Sequence, residues 1–238
     1  MVIAIIAVLV AILLPALASA QASARSISCL SNLRQMVIAA NCYAASHKGS
    51  YPIAYYRDNR DGKSIMVAWD FTTTRDFSTT PPTVTVRPGL LWEGHGSGKV
   101  QQCPSFDGAS NSAGDPYTGY NYNTSYIGHG SGEAIVRPAK VTEVRRPEQC
   151  ALFGDGQYGA GANKFMRAPF PNPGDATFSA RSAGTQGFRH RGRTNVAFCD
   201  GHAESLADRF TQTTANEKAN IAPGTGFLSA DNSMYDLE

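Results

Sequence analysis

The sequence predicts an α+β chain, one long N-terminal helix carrying a head of short strands and long loops. Three observations predict it. Val2 to Ala18 is an unbroken apolar run with a single proline, Pro15. From Ser19 the composition turns mixed, yet Ile27, Leu30, Val37, Ala40 and Ala44 keep recurring at helical steps. Beyond Gly49, apolar runs become short and are punctuated by glycine and proline, which together make about 15% of the chain against a usual ~12%. Residues 1–48 are therefore the helix, with 1–18 its membrane part, and residues 49–238 are one globular head. No internal repeat or second domain boundary is visible.

The helix has two halves of different chemistry. No face of Val2 to Leu14 is polar, which suits lipid rather than a soluble core. Seventeen apolar residues at ~1.5 Å each reach roughly 26 Å, slightly under the ~30 Å of a bilayer core. Val2, Ile5, Ile6, Leu9, Ile12, Leu13 and Leu17 form the apolar surface, interrupted by Pro15. The second half is amphipathic and ends at Lys48-Gly49, a cationic last turn and a glycine stop. A competing reading is a cleaved secretory signal, since Ala18-Ser19-Ala20 is a small-x-small site, although no basic segment precedes the run. The mature chain would then begin at Gln21 as a soluble secreted domain, binding a metal or a glycan.

In the head, Ser50 to Ala54 is an extended exit, because Pro52 disfavours helix at Tyr51. Ile65-Met-Val-Ala-Trp69 reads as a buried strand, and Thr72 to Pro82 as a surface loop. Leu90-Leu-Trp92 and Val100 to Cys103 flank a glycine turn, Gly94 to Gly98, which lacks the lysine and helix of a phosphate loop. Tyr120-Asn-Tyr-Asn-Thr-Ser-Tyr126 alternates like a half-buried strand. Its tyrosines either stack sugars or bases or, more simply, pack on the helix. Val141 to Val144 and Ala151 to Phe153 are short apolar runs, and Gly154 to Gly187 is a long loop. Asn195 to Cys199 is the clearest late strand, turning at Asp200-Gly201, a strong hairpin signal. The tail beyond Arg209 reads as polar and peripheral.

The candidate chemistry is sparse. A net charge of +2 points to no particular partner. No Gly-x-Ser-x-Gly elbow is present, and no catalytic residue is assigned. The basic cluster Phe188-Arg-His-Arg-Gly-Arg193 is read as a solvated turn rather than a nucleic-acid site. Five cysteines (Cys29, Cys42, Cys103, Cys150, Cys199) contain no Cys-x-x-Cys pair, so a structural zinc site is not expected from spacing. Cys29 and Cys42 lie roughly 20 Å apart on one helix and cannot pair. Either could meet Cys103, and Cys150 with Cys199 is the favoured disulfide if their strands are antiparallel neighbours. Two imidazoles and two carboxylates, His190, His202, Asp155 and Asp200, are the candidate set for a divalent metal such as zinc. A calcium site would instead use Asp155, Asp200 and backbone carbonyls. The plainer alternative is that His190 and Asp200 only pin a loop by hydrogen bonds.

The run Val2-Ile-Ala-Ile-Ile-Ala-Val-Leu-Val-Ala-Ile-Leu-Leu-Pro-Ala-Leu-Ala18, followed by Ala24-Arg-Ser-Ile-Ser-Cys-Leu-Ser-Asn-Leu-Arg-Gln35, resembles the N-terminal helix of type IV pilins and type II secretion pseudopilins. The G-type pseudopilin-like group is the nearest likeness. In that family the mature chain starts Phe-Thr-Leu-Ile-Glu after a glycine and a basic leader. Those residues are absent here, and Met1 stands where the family usually has valine. The resemblance thus implies that an internal valine codon was taken as the start. A second likeness is scattered through the head. His190, Asp200 and Gly201 match the His-x9-Asp-Gly element of one class of prepilin-processed proteins, with Cys103-Pro-Ser105, Gly119 to Tyr122 and Ala151 to Asp155 in keeping with it.

The resemblance implies a pilin-like fold, with the helix's second half packed on an antiparallel sheet. It implies a structural, non-enzymatic subunit held in the bacterial inner membrane with its head outside the cytoplasm. Prepilin peptidase and an assembly machinery would then move it into a periplasmic or extracellular filament of like subunits. Calcium sites occur in the heads of related pseudopilins, so calcium is a further cofactor that the resemblance implies.

Overall fold

A computed structural model describes residues 2–93, 98–110, 114–159, 161–175, 184–214 and 221–238. The turn expected at Gly94 to Gly98 falls, but for its last residue, outside them. Helix α1 (Val2–Ser46) is continuous through Pro15. At ~1.5 Å per residue it is roughly 68 Å long. Its most apolar eighteen-residue window has a mean hydropathy of 2.9, and no residue of that window is buried. It is therefore long and apolar enough to cross a membrane. The helix ends as expected: Gly49, at φ +80°, donates its N–H back to the Ala44 carbonyl at 2.8 Å.

The buried face of α1 is Cys29, Leu33, Met36, Val37, Ala40 and Ala44. This is rotated from the face expected from Ile27 and Leu30: Ile27 is 67% exposed and Leu30 is only partly covered. Steps of four, three, four and four from Cys29 through Leu33, Met36, Ala40 and Ala44 keep one stripe against the head. Ile27 lies two residues, about 200°, from Cys29 and points away.

Four strands, β1 (Tyr55–Arg60), β2 (Lys63–Ala68), β3 (Phe71–Asp76) and β4 (Thr83–Pro88), form an antiparallel meander. Strand β3 corrects the expected surface loop, since Phe71 to Asp76 pairs with both β2 and β4. Threonine is β-branched and fits a pleated surface that is only half covered.

The second sheet contains β5 (Tyr120–Asn123), β6 (Ala151–Asp155) and β7 (Phe165–Met166). Strand β8 (Gln186–Gly187) belongs to a separate small ladder; β9 (Thr194–Phe198) and β10 (Ala203–Leu206) complete the larger sheet. Its order is β10-β9-β6-β5-β7, antiparallel except for β5 with β7. Strand β11 (Thr225–Gly226) pairs with β8. The expected hairpin is present: β9 and β10 join across Asp200-Gly201, and Gly201 takes φ +99°. The short apolar run at Val141 holds a 3-10 turn, Val141–Glu143.

Two further expectations are corrected here. Tyr120 to Tyr126 is not one half-buried strand. Strand β5 is buried on both faces and runs into a single π-turn at Thr124–Gly128. Asn123 is buried because its Nδ2 donates to the carbonyls of Ala151 and Tyr235, at 2.9 and 2.8 Å. Tyr122 donates to the Pro52 carbonyl at 2.8 Å and packs with Trp69 and Phe153, ring centroids 5.1 to 5.6 Å apart. These rings are core, not a ligand platform. Nor is the tail peripheral. Phe227, Leu228 and Tyr235 are buried against Ala151, Val196 and Phe198. The larger sheet thus lies between α1 on one face and the C-terminal segment on the other. That double cover explains why every residue of β6 and β9 is buried.

Candidate functional site

Cys29 is where α1 first enters the head, the earliest buried residue of the helix. Three other segments converge on it. Cys103 follows a short turn and is held by its N–H bond to the Thr118 carbonyl, 3.1 Å. Its neighbour Gly119 has φ +115°, and a Cβ there would stand 2.7 Å from the Cys103 Cβ, so only glycine lets the segments close. Asp155 ends β6. His190 sits on the shoulder of a tight turn whose central residues, Arg191 and Gly192, have φ of 57° and 79°. Mutual backbone bonds between His190 and Arg193, at 3.0 and 3.1 Å, close that turn.

The four side chains form one buried cluster, with one ligand-type atom from each within 4.8 Å of all the others. The Cys29 thiol donates to Asp155 Oδ1 at 3.2 Å and lies 4.0 Å from the Cys103 Sγ. His190 Nε2 is 3.8 Å from the Cys103 Sγ and 3.1 Å from Asp155 Oδ2. The Asn195 N–H donates to the same Oδ2 at 2.7 Å. Arg189 lies alongside, its Nε donating to the Cys103 Sγ at 3.4 Å and its Nη2 to Asp155 Oδ1 at 3.2 Å. Its guanidinium also sits 4.9 Å above the Phe106 ring.

The electrostatics follow from this packing. Burial pushes the Asp155 carboxyl up, but the Arg189 charge and the His190 hydrogen bond outweigh it, leaving the group below its ordinary value. Burial disfavours the His190 cation, yet bonds to Asp155 and Cys103 raise it to about 9. Burial also opposes a Cys103 thiolate, but the Cys29 hydrogen bond, His190 and Arg189 bring it down to about 6. Cys29 is driven far up, chiefly by burial, with Cys103 and Asp155 adding. Cys103 and His190 have the composition of a nucleophile and its base. Cys103 is 0% exposed, however, so its sulfur does not face solvent.

The residues expected from sequence divide into two groups. Asp155 and His190 come together; Asp200 and His202 do not join them. Asp155 is held by Asn195 at one end of β9, whereas Asp200 donates its N–H to the Pro147 carbonyl beyond the other end. Five strand residues at ~3.3 Å put the ends roughly 17 Å apart. The expected four-residue ligand set, and a calcium site shared by Asp155 and Asp200, are thereby corrected. Asp200 instead forms a surface turn with His202, bonding its ring Nδ1 at 2.6 Å, while that ring stacks on Phe198.

Cys150 and Cys199 are strand neighbours, the Cys199 N–H donating to the Cys150 carbonyl at 3.0 Å, but both thiols are free. The expected disulfide is absent, and all five cysteines are free. The basic cluster is split up as well: Arg189 is buried on Asp155, and Arg193 donates to Ser205. The expectation that Cys29 or Cys42 could meet Cys103 holds for Cys29, with 4.0 Å between the sulfurs and no disulfide, but neither thiol nor Arg189 stands in the expected ligand set. A further signal is that Cys29 keeps step with Leu33, Met36 and Ala40.

Val2, Ile5, Ile6, Leu9, Ile12, Leu13 and Leu17 are all exposed, as is Pro15. No family model, curated protein or solved structure matches the chain.

Proposed function

We propose that this chain is a structural subunit of a type IV pilus-like or type II secretion pseudopilus-like filament, held in the membrane by α1 before assembly. One observation carries the reading. A single unbroken helix is core in its second half, while its first half is apolar all round and touches nothing. Eleven large apolar side chains between Val2 and Leu17 stand exposed. At ~2 kcal/mol each, leaving them in water costs on the order of 20 kcal/mol, more than a domain's whole stability. That surface therefore needs lipid or other such helices. Exchange between the two is nearly neutral, because a lipid tail is as apolar as leucine. A subunit can then leave a bilayer and stack into a helical filament core without losing burial. Pro15 lacks a backbone donor, which weakens the helix locally and lets it adjust to neighbours. The head serves as the outer layer and has no catalytic task.

The test is the intact mass and N-terminal sequence of the protein from its source cells. A methylated Phe-Thr-Leu-Ile-Glu start upstream of Met1, with Val2 to Leu17 retained, supports the filament reading. A chain beginning at Gln21 sinks it, because the apolar run would then be a discarded signal.

A further inference from the structure

The cluster at Cys29, Cys103, Asp155 and His190 has the dimensions of a tetrahedral metal cage. With metal–sulfur bonds of ~2.3 Å and metal–nitrogen or –oxygen bonds of ~2.0–2.2 Å, tetrahedral angles put sulfurs ~3.8 Å apart. The same angles put sulfur ~3.6 Å from nitrogen or oxygen, and nitrogen ~3.3 Å from oxygen. The structure shows 4.0 Å between the two sulfurs, 3.8 Å from Cys103 Sγ to His190 Nε2, 3.2 Å from Cys29 Sγ to Asp155 Oδ1, and 3.1 Å from His190 Nε2 to Asp155 Oδ2. These four of the six edges lie within a few tenths of an ångström of the ideal, and one ligand atom from each residue lies within 4.8 Å of all the others.

We infer that these four residues bind one zinc ion that fastens α1 to the head. Two thiolates rule against calcium and magnesium, which take oxygen. A sulfur-sulfur-nitrogen-oxygen set in tetrahedral array suits zinc. Four protein ligands, all buried, leave no open position for water or substrate, which makes the site structural. Charge also fits. Two thiolates, one carboxylate and a neutral imidazole around a dication leave one net negative charge, and Arg189 supplies the matching positive one. Its bonds to Cys103 Sγ and Asp155 Oδ1 orient both ligands from outside, as the Asn195 N–H does for Oδ2. A cleft of about 380 Å³, lined by Arg25, Phe106, Asp107 and His190 among others, opens beside the cluster and gives the ion its approach. On binding, both sulfurs coordinate as thiolates and His190 as the neutral imidazole, and whatever protons they held pass to water; nothing is oxidised or reduced.

The ligands come from the helix, the loop after Gln101, the end of β6 and the turn before β9. One ion thus joins four segments spread over residues 29 to 190. This inference stands apart from the filament reading, since a secreted domain would keep the same site.

The experiment uses the full-length chain, purified in detergent with reductant and without chelator. Elemental analysis is expected to find about one zinc per chain. After stripping, cobalt(II) is expected to give a thiolate-to-metal charge-transfer band and the intense visible bands of tetrahedral cobalt. Cys103→Ser should weaken the charge-transfer band, and Asp200→Asn/His202→Asn should keep the full spectrum. Less than about a tenth of an equivalent of zinc, with no cobalt–thiolate band in wild type, overturns the inference whatever the variants do. So does a Cys29–Cys103 disulfide in protein isolated from its cells with thiols blocked at lysis, or a spectrum lost in the Asp200/His202 variant and retained in Cys103→Ser.

Discussion

Replacing Lys164 by methionine tests how the two sheets are joined. The Lys164 Nζ lies 2.9 and 3.0 Å from the two Asp70 oxygens and 3.5 Å from Asp115. All three side chains are buried. Asp70 links β2 to β3 and Lys164 leads into β7, so the cation bridges the meander and the larger sheet. Methionine preserves the stem but leaves two buried carboxylates without their shared cation. Breaking such a pair costs about 3–5 kcal/mol. For a head of this size, about 2–4 °C is lost per kcal/mol, so the midpoint should fall by roughly 6–20 °C. Circular dichroism melting of the full chain in detergent reads this directly.

The pH dependence gives a second handle on Lys164. Burial pulls its pKa down, but Asp70 and then Asp115 outweigh burial and raise it above the ordinary value. A raised cationic pKa contributes stability that is fully present below the unfolded value of ~10.4 and is lost as pH climbs through the folded one. The difference between wild type and Lys164→Met should therefore be full near pH 7 and shrink only above pH ~10. Adding Asp70→Asn to the variant should restore part of the loss. A midpoint shift below about 2 °C at neutral pH would mean that the bridge contributes under ~1 kcal/mol, refuting the reasoning.

Other substitutions probe the remaining layers. Leu33→Ala should cost about 2–5 kcal/mol, while Ile38→Ala, on the open side of the same helix, should change stability by less than about 0.5 kcal/mol; equal effects in urea titrations would misplace the helix face. Gly201→Ala meets no atom within 4 Å but must adopt φ +99°, so its cost of about 1–2 kcal/mol is purely conformational. A neutral melt for that variant would argue against the turn. Tyr235→Phe removes the hydroxyl that accepts the Leu228 N–H at 2.7 Å, and leaving that buried donor unpaired should lower stability by about 1–3 kcal/mol. Leu9→Lys places a charge in the apolar run at about 2.5–3.5 kcal/mol, and carbonate extraction should then release a larger fraction from membranes.

Local signals were legible in the sequence wherever a single segment decides the outcome. The helix, its Gly49 stop, the β9 strand and the Asp200-Gly201 hairpin each follow from residues within a few positions of one another. What could not be read depends on distant partners. Thr72 to Asp76 looks like a loop until β2 and β4 flank it. Asn121 and Asn123 look like solvent positions because alternation implies one wet face, and nothing local announces that Tyr235 and Thr185 cover the other. The cluster was half legible for the same reason. Asp155 and His190 stand inside recognisable motifs, whereas Cys29 and Cys103 are 74 positions apart and meet only through tertiary packing. Asp200 follows His190 closely in sequence, yet an extended strand between them carries the two apart.

The burial of Phe227, Leu228 and Tyr235 behind the larger sheet has a consequence for biosynthesis. Synthesis delivers α1 before the head, but the strands that cover Cys29 and Leu33 include β9, and β9 is itself closed off on its far side by Phe227, Leu228 and Tyr235, which follow it in the chain. The buried half of the helix must therefore wait for residues roughly 200 positions further along the chain. Contacts of such long sequence separation form slowly, because loop closure precedes any reward. A chain interrupted before Phe227 would present β6 and β9 with one apolar face bare, a surface prone to aggregation. Quality control in the cell thus has a simple feature to recognise: a bare apolar sheet face that Phe227, Leu228 and Tyr235 cover in the folded molecule.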